Sequence, residues 1–214
     1  SGRQPEYPDS INEPLNRLGR WVSWHEALGC CDWLTQRWRA LGWIGADRVV
    51  TLPSEPEWEK AARGGLMFPR EPVVGTVASL TEEAELRVNP APGRAYPWVG
   101  EADPNRANFS ASEIGDPSTV GCFPGGASPY GAEELSGNLW EWTRSRWDEY
   151  PYPVDEPARK EREDVSVSNR RVLRGGAFHF DPGFVRCASR FNGGPDLRSD
   201  LVGFRVVVSP FSVL

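Results

Sequence analysis

Histidine and cysteine are the residue types here that could carry metal or nucleophilic chemistry, and their spacing predicts neither. The only histidines are His25 and His179, and neither has a partner at the short intervals that bind zinc. Four cysteines occur, at Cys30, Cys31, Cys122 and Cys187. Cys30 and Cys31 are adjacent, so they cannot form an ordinary disulfide with each other. We interpret all four as free thiols, which favours the cytoplasm, with display at a surface as the alternative.

Motifs for hydrolysis and phosphate binding are also missing. The sequence has no Gly-x-Ser-x-Gly elbow that would support a Ser–His–acid triad. Gly125-Gly126 and Gly193-Gly194 do not follow a predicted strand and open a helix, as phosphate-binding loops do. Carboxylates are plentiful, but no pair stands out for general acid–base work. These residues alone therefore predict no catalytic site.

Two capping boxes mark the helices that must position any site. The pattern Ser-x-x-Glu occurs at Ser23 and again at Ser54, in each case before apolar residues at helical spacing. The first predicts a helix over 24–41, and the second predicts a helix that ends at Gly64. Cys31 lies on the apolar face of the first helix, so we expect it to pack in the core.

The rest of the chain predicts short strands separated by long loops. Residues 66–134 have no sustained periodicity and many Pro, Gly, Asn and Asp residues. Strands are predicted over 139–143, from 171 onward and, most clearly, over 203–209. The charged, Pro-containing stretch 148–169 is predicted to be a solvated excursion.

Length and charge narrow the class of protein. A chain of 214 residues suits one domain, which we place at 21–214 after a polar arm over 1–20. The net charge of −6 excludes a global basic footprint for nucleic acid. The sequence has no apolar run of about 18 residues, which a membrane span would need.

A series of motifs resembles the formylglycine-generating enzyme family, also called the sulfatase-modifying factor family. One of them reads Gly137-Asn138-Leu139-Trp140-Glu141-Trp142. The full set follows the family's order, at 22–27, 52–65, 96–98, 107–109, 120–124, 137–142, 171–176, 186–190 and 203–206. The resemblance spans roughly residues 20–210 and is highly specific.

The resemblance implies an α+β domain with a C-type-lectin-like fold of the formylglycine-generating-enzyme type. Such a domain has two helices around small antiparallel sheets, with much irregular loop. This agrees with the helices and strands predicted above. It also implies a hairpin upstream of the first helix, which this sequence does not contain, so we expect that segment to be missing or to lie elsewhere.

The chain departs from the family where its oxidase members activate copper and oxygen. The resemblance implies two cysteines shortly after Gly175-Gly176, because thiolates suit such soft metal chemistry. Residues 177–185 contain no cysteine, and Cys187 matches a structural position. Related sulfoxide synthases use an iron site built from histidines on an additional domain, for which this chain has no candidate. We therefore predict neither reaction.

Residues 178–201 instead resemble the variable region of diversity-generating retroelement target proteins. In those proteins, template adenines in Asn codons are mutagenised and the products are displayed on this fold. The predicted variable residues are all encodable by NNC or NNT codons. We predict that they bind ligand: His179, Phe180, Asp181, Gly183, Phe184, Phe191, Asn192, Gly193, Gly194, Leu197, Ser199, Asp200 and Leu201.

The composition of this segment favours the same interpretation. Its Phe and Leu residues alternate irregularly with Gly, Ser and Asp, with no period of a strand or helix. Aromatic anchors among small polar residues are typical of an adaptable binding surface. We expect a frame held by Gly175-Gly176, Arg186, Arg190 and Arg205. The alternative is that the Phe residues fill a small core.

Calcium is the remaining candidate cofactor. The resemblance implies a Ca²⁺ ion held by an Asn after Ala, by loop carbonyls and by later acids. Asn108 and Asp116 fit as hard oxygen ligands, and Asn138 with Glu141 is a second option. Alternatively, each asparagine caps a turn.

Three hypotheses follow for the function. The leading one is a non-enzymatic, receptor-type protein that binds a protein or other macromolecule, but not nucleic acid, through 178–201. The second is an oxidase of the family with an altered active site. The third is a structural accessory domain of a signalling protein, which predicts that Phe180, Phe184 and Phe191 are buried.

Overall fold

The two predicted helices begin at their capping boxes. The computed structural model describes residues 19–72 and 84–210, so most of the predicted arm over 1–20 lies outside the described residues. Helix α1 spans Trp24–Ala40 and helix α2 spans Glu55–Arg63. At each start the serine accepts from the backbone of the glutamate three residues on, whose carboxylate accepts in return. Gly64 ends α2 with φ of 91°, a conformation that favours glycine.

Three small sheets surround these helices. Strand β1 is Val49–Thr51, β2 is Met67–Pro69, β3 is Leu86–Val88, β4 is Trp140–Arg146, β5 is Arg171–Arg174, β6 is Arg190–Gly193, β7 is Val202–Phe204 and β8 is Val207–Ser209. The main sheet has the order β6-β5-β4-β7, antiparallel except for the parallel pair β4–β7. β1 pairs with β8 and β2 with β3. Among the described residues, 66–134 contain only β2, β3 and short 3₁₀ turns, as predicted.

The strand predicted over 203–209 is two strands, so that prediction was wrong in its extent. β7 continues the main sheet beside β4, whereas β8 pairs with β1. Arg205 lies between them and turns its guanidinium onto Glu141. The two halves of the predicted strand therefore belong to different sheets.

The core is built on both faces of β4. Trp24, Ala27 and Cys31 of α1 pack with Trp142 and Leu173 in one cluster. Trp58 and Ala62 of α2 pack with Leu135 and Cys187 in another. Successive strand residues face opposite sides of a sheet. This places Trp142 toward α1 and Glu141 toward α2, where Trp58 Nε1 donates to Glu141 Oε2 at 2.6 Å.

The excursion over 148–169 is only partly solvated, which corrects the prediction. It contains a third helix, α3, over Glu156–Arg162. Arg162 is buried and donates to the carbonyls of Asp148 and Glu149. Glu163 pairs with the buried Arg144 of β4 at 2.8 Å. Charge composition alone did not reveal these pairs, which hold the excursion against the sheet. No helix within 19–72 and 84–210 is long and apolar enough to cross a membrane.

Candidate ligand-binding surface

The chain enters the predicted surface through two glycines at the end of β5. Gly175 and Gly176 have φ of 101° and 79°, which favours glycine at both positions. A Cβ atom on Gly176 would lie 2.6 Å from Val185 Cγ1 and 2.8 Å from the Phe184 carbonyl oxygen. The loop after the glycines therefore packs directly onto their backbone.

Arg174, the residue before these glycines, holds the same loop from beneath. Its guanidinium donates to the carbonyls of Cys187, Ala188 and Ser189 at 2.7, 3.3 and 3.0 Å. It also pairs with Glu59 at 2.6 Å, and Arg174 itself is 0% exposed. The Cys187 carbonyl is buried and needs a donor, and one planar guanidinium bonds all three carbonyls. Arg174 lies in the family-like motif at 171–176, but its sequence context did not predict this role.

The predicted frame residues differ in what they do. Arg190 forms a bidentate pair with the buried Glu55, at 2.5 and 2.9 Å. Arg205 pairs with Glu141 in the same way, at 2.5 and 2.7 Å. Arg186 is exposed and donates to the carbonyl of Gly183. Arg186 therefore contacts the loop backbone, whereas Arg190 and Arg205 act through ion pairs.

Most predicted variable residues are accessible. The exposed ones are His179, Asp181, Gly183, Phe184, Phe191 and Leu197. Those partly buried are Phe180, Asn192, Gly194, Ser199, Asp200 and Leu201. Gly193 is the exception, because it is buried and a Cβ there would lie 2.7 Å from the Trp142 ring. That position does not admit a variable side chain without repacking.

The exposed and partly buried rings of this segment form one aromatic patch. We define the aromatic patch as His179, Phe180, Phe184 and Phe191, with Trp140 beneath. Ring centroids are 4.6 Å apart for His179 and Phe180 and 5.4 Å for Phe180 and Phe184. Trp140, 2% exposed, lies 5.7 Å from Phe180 and 5.5 Å from Phe191. Trp140 was missed as a site residue, since only the fold places it under the loop.

The exposure of the patch distinguishes between two hypotheses. Phe184 and Phe191 are 51% and 50% exposed, while Phe180 is partly buried against the main core. The hypothesis of a structural accessory domain predicts that all three rings are buried, and the exposure of Phe184 and Phe191 contradicts it. Large half-exposed rings in a contiguous cluster are instead typical of an interaction site.

The buried thiols of Cys31 and Cys187 are not poised for chemistry. Cys187 is buried, and burial raises the pKa of its thiol to about 12. Burial raises the pKa of Cys31 to about 12 as well, with Cys30 and Asp32 adding to the shift. A reactive cysteine needs a lowered pKa, because the thiolate is the nucleophile and metal ligand.

The residues predicted to hold calcium are bound to one another and to neighbouring protein groups. Asn108 Nδ2 donates to the Asp116 carbonyl at 2.9 Å, and its Oδ1 accepts from Ser112. The Asp116 carboxylate pairs with Arg20 at 2.9 Å. These contacts favour the alternative, in which the asparagine holds a turn, and as placed the side chains do not fit a calcium ion.

The residues of the second candidate calcium site are also bound to neighbouring protein groups. Asn138 Oδ1 accepts from the Ser118 amide at 2.9 Å, and Glu141 is paired with Arg205 and Trp58. Among residues 19–72 and 84–210, no three His, Cys, Asp or Glu side chains group closely enough to hold a metal ion. Calcium binding stays a prediction, to be measured as a change of melting temperature on adding Ca²⁺.

The different burial of Phe184 and Leu201 predicts that their substitution by Asn will affect stability unequally. Phe184→Asn should change the free energy of unfolding by less than about 1 kcal/mol, because the ring is half exposed. Leu201 packs against the main core, so Leu201→Asn should cost about 2 to 3 kcal/mol by burying an amide. Equal effects in urea denaturation would contradict this assignment.

This arrangement defines the class of protein: a C-type-lectin-like α+β domain of the formylglycine-generating-enzyme type, with an exposed aromatic patch after the glycine pair. The sulfatase-modifying factor enzyme 1-like domain matches residues 2–210. The chain therefore belongs to that family.

Three similar proteins illustrate the range of the fold. The chain is 35% identical over 171 residues to hercynine oxygenase of Mycolicibacterium smegmatis, covering 77% of this chain and 33% of that protein. It is 31% identical over 219 residues to inactive C-alpha-formylglycine-generating enzyme 2 of Bos taurus, covering 95% and 54%. Treponema denticola variable protein 1 has the same fold, with a TM-score of 0.58 at 20% identity over 92% of this chain and 73% of that one.

Two facts follow from these comparisons. The chain spans less than two thirds of the length of each of these two sequence relatives. The family includes a protein named as an oxygenase and a protein named as inactive, so membership alone does not decide whether a member is catalytic.

Proposed function

We propose that this chain is a non-enzymatic ligand-binding protein that presents residues 178–201 as a diversified surface, as in diversity-generating retroelement variable proteins. The observation that carries the proposal is the half-exposed aromatic patch on a loop anchored by the buried Arg174. A rigid frame lowers the entropy lost on binding, and exposed rings supply contact area. The ligand is a protein or other macromolecule bound through this patch.

The likeness to Treponema denticola variable protein 1 supports the proposal at the level of the fold. The missing cysteine pair after Gly176 supports the non-enzymatic part, as does the existence of an inactive relative. Cys187, the cysteine that follows this loop, has a raised pKa through burial, which disfavours a thiolate there.

The test is a DNA sequence. The codons for 178–201 should have a near-copy within a few kilobases, beside a reverse transcriptase gene, and the two should differ mainly where the copy has adenine. Codons for the buried Val185, Cys187 and Val202 should match in both and serve as the internal control. We also expect Gly193 to be unchanged among natural variants, because it has no room for a Cβ. Absence of any near-copy would refute diversification.

The oxidase hypothesis needs its own measurement, because the chain belongs to a family with enzymatic members. The protein should consume no oxygen with copper and a cysteine-containing peptide. Oxygen consumption that depends on copper and on the peptide thiol would overturn the non-enzymatic assignment.

A further inference from the structure

Strand β3 leaves one edge of its two-stranded sheet unpaired in the described part of the chain. β3 is antiparallel to β2, and the Arg70 amide donates to the Glu85 carbonyl at 2.7 Å. Backbone groups along an antiparallel strand point alternately toward its partner and away from it. Glu85 faces β2, so Leu86 and Val88 direct their N–H and C=O groups to the free edge. No described residue bonds to these outward groups.

The opposite edge of the same sheet is closed. Met67 and Pro69 are the outward-facing residues of β2. Pro69 has no N–H, and the Met67 carbonyl accepts from the Tyr130 hydroxyl at 3.1 Å. Proline and covering contacts are usual ways of protecting a sheet edge. The described part of β3 has neither, and Leu86 and Val88 are 54% and 73% exposed, so this edge is open to the addition of a strand.

The sequence of this edge complements a second copy of itself. Residues 84–88 read Ala-Glu-Leu-Arg-Val. If two copies run antiparallel with Leu86 opposite Leu86, Glu85 of each copy lies opposite Arg87 of the other, and Ala84 lies opposite Val88. The two Leu86 residues then exchange both backbone hydrogen bonds, because their N–H and C=O groups point outward. Successive side chains alternate between faces, so one face carries two opposite-charge pairs and the other carries apolar pairs.

The charged side chains are already held on the same face. The Arg87 guanidinium lies 4.7 Å from the centroid of the Phe68 ring, and a stacked guanidinium keeps N–H groups free at its edge. Glu85 accepts from the exposed Arg70 at 3.1 Å, and a carboxylate can accept from a second guanidinium as well. A register centred on Arg87 would instead place Arg87 opposite Arg87, which is unfavourable between paired strands.

We propose that two copies of this chain associate through β3, forming a four-stranded sheet of order β2-β3-β3-β2 with a two-fold axis at Leu86. Two Glu85–Arg87 pairs and the backbone bonds of residues 84–88 would join the copies. Such an interface is isologous, as in most homodimers. It includes no residue of 178–201 and is independent of the proposed function of that surface.

Sedimentation velocity of the whole chain, from about 1 to 200 μM, tests the proposal. The wild type should form dimers with a dissociation constant of about 10 to 100 μM, because the paired segments are short. Glu85→Arg and Arg87→Glu should each weaken self-association about tenfold or more, since each change places like charges opposite each other in two pairs. The double variant Glu85→Arg/Arg87→Glu should restore it. An equimolar mixture of the two single variants should also associate, because opposite charges face each other again.

Matched variants locate the interface. Leu86→Pro removes the outward N–H and should abolish association, whereas Leu86→Thr keeps that N–H and should stay within about threefold of the wild type. Glu101→Arg makes the same change of charge at an exposed residue away from β3 and should associate normally. Phe184→Asn should also associate normally, which separates this result from any failure of the proposed function. Melting temperatures check that every variant is folded.

Three results would overturn the proposal. One is a wild type that stays monomeric up to about 200 μM. The second is association that Glu85→Arg and Leu86→Pro leave unchanged, which would assign the dimer to another surface. The third is a mixture of folded Glu85→Arg and Arg87→Glu chains that does not associate, which would exclude the register centred on Leu86.

Discussion

Replacing Arg174 with methionine should lower the free energy of unfolding by about 3 to 5 kcal/mol, the usual cost of breaking a buried ion pair from one side. The methionine would fill the space of the arginine stem but leave Glu59 and the carbonyls of 187–189 without this donor. Urea denaturation measures the loss. Amide exchange within 186–190 should also become faster, because the loop loses its anchor.

The control for Arg174 is Arg186 in the same region. Arg186 is exposed and donates to the Gly183 carbonyl nearby in the loop, so Arg186→Met should change stability by less than about 0.5 kcal/mol. If both substitutions cost the same, or if Arg174→Met costs less than about 1 kcal/mol, the buried guanidinium does not hold the surface.

Replacing Glu134 with glutamine should stabilise the protein by about 3 kcal/mol at pH 8, in buffers without calcium. The folded state raises the pKa of this carboxyl to about 7 from 4.5, mainly through burial. The contribution of Glu134 to stability is therefore most favourable below pH 4.5 and is lost as the pH rises through 7. Glutamine resembles the protonated acid and avoids that loss.

The pH dependence separates this effect from an ordinary change of packing. The stabilisation by Glu134→Gln should grow between pH 4.5 and 8 and should be absent at pH 4, as followed by urea denaturation. Glu133, Glu141 and Arg205 also face the group and are the same in both proteins. Glu101→Gln is the control and should show no such growth. A stabilisation that does not vary with pH would contradict the assignment.

Local patterns were sufficient to predict the helices. Both capping boxes formed as expected, because a serine and a glutamate three residues later satisfy each other's backbone groups within a few residues. The ordered family motifs also predicted the fold class, which the family match and the shared fold confirm. The many Gly, Pro, Asn and Asp residues after α2 correctly predicted irregular structure there, in the part of that region that the structure describes.

Long-range pairing explains the wrong predictions. The strand predicted over 203–209 is divided between two sheets, since β7 pairs with β4 and β8 pairs with β1. The excursion over 148–169 is tied down by pairs such as Arg144 with Glu163. Gly193 was assigned to the variable set by its codon type, although Trp142 fills the space where a side chain would lie. Each error concerns a contact between residues far apart in the chain.

The sequence by itself determined the family, the fold class, the absence of a cysteine pair after Gly176, and the segment that forms the candidate surface. These properties depend on residue identity and short spacing. Only the tertiary structure decided which rings are exposed, that Trp140 lies beneath them, that Arg174 anchors the loop, and that Glu134 is buried. Burial and charge compensation depend on neighbours brought together by folding, so no local pattern of residues could have specified them.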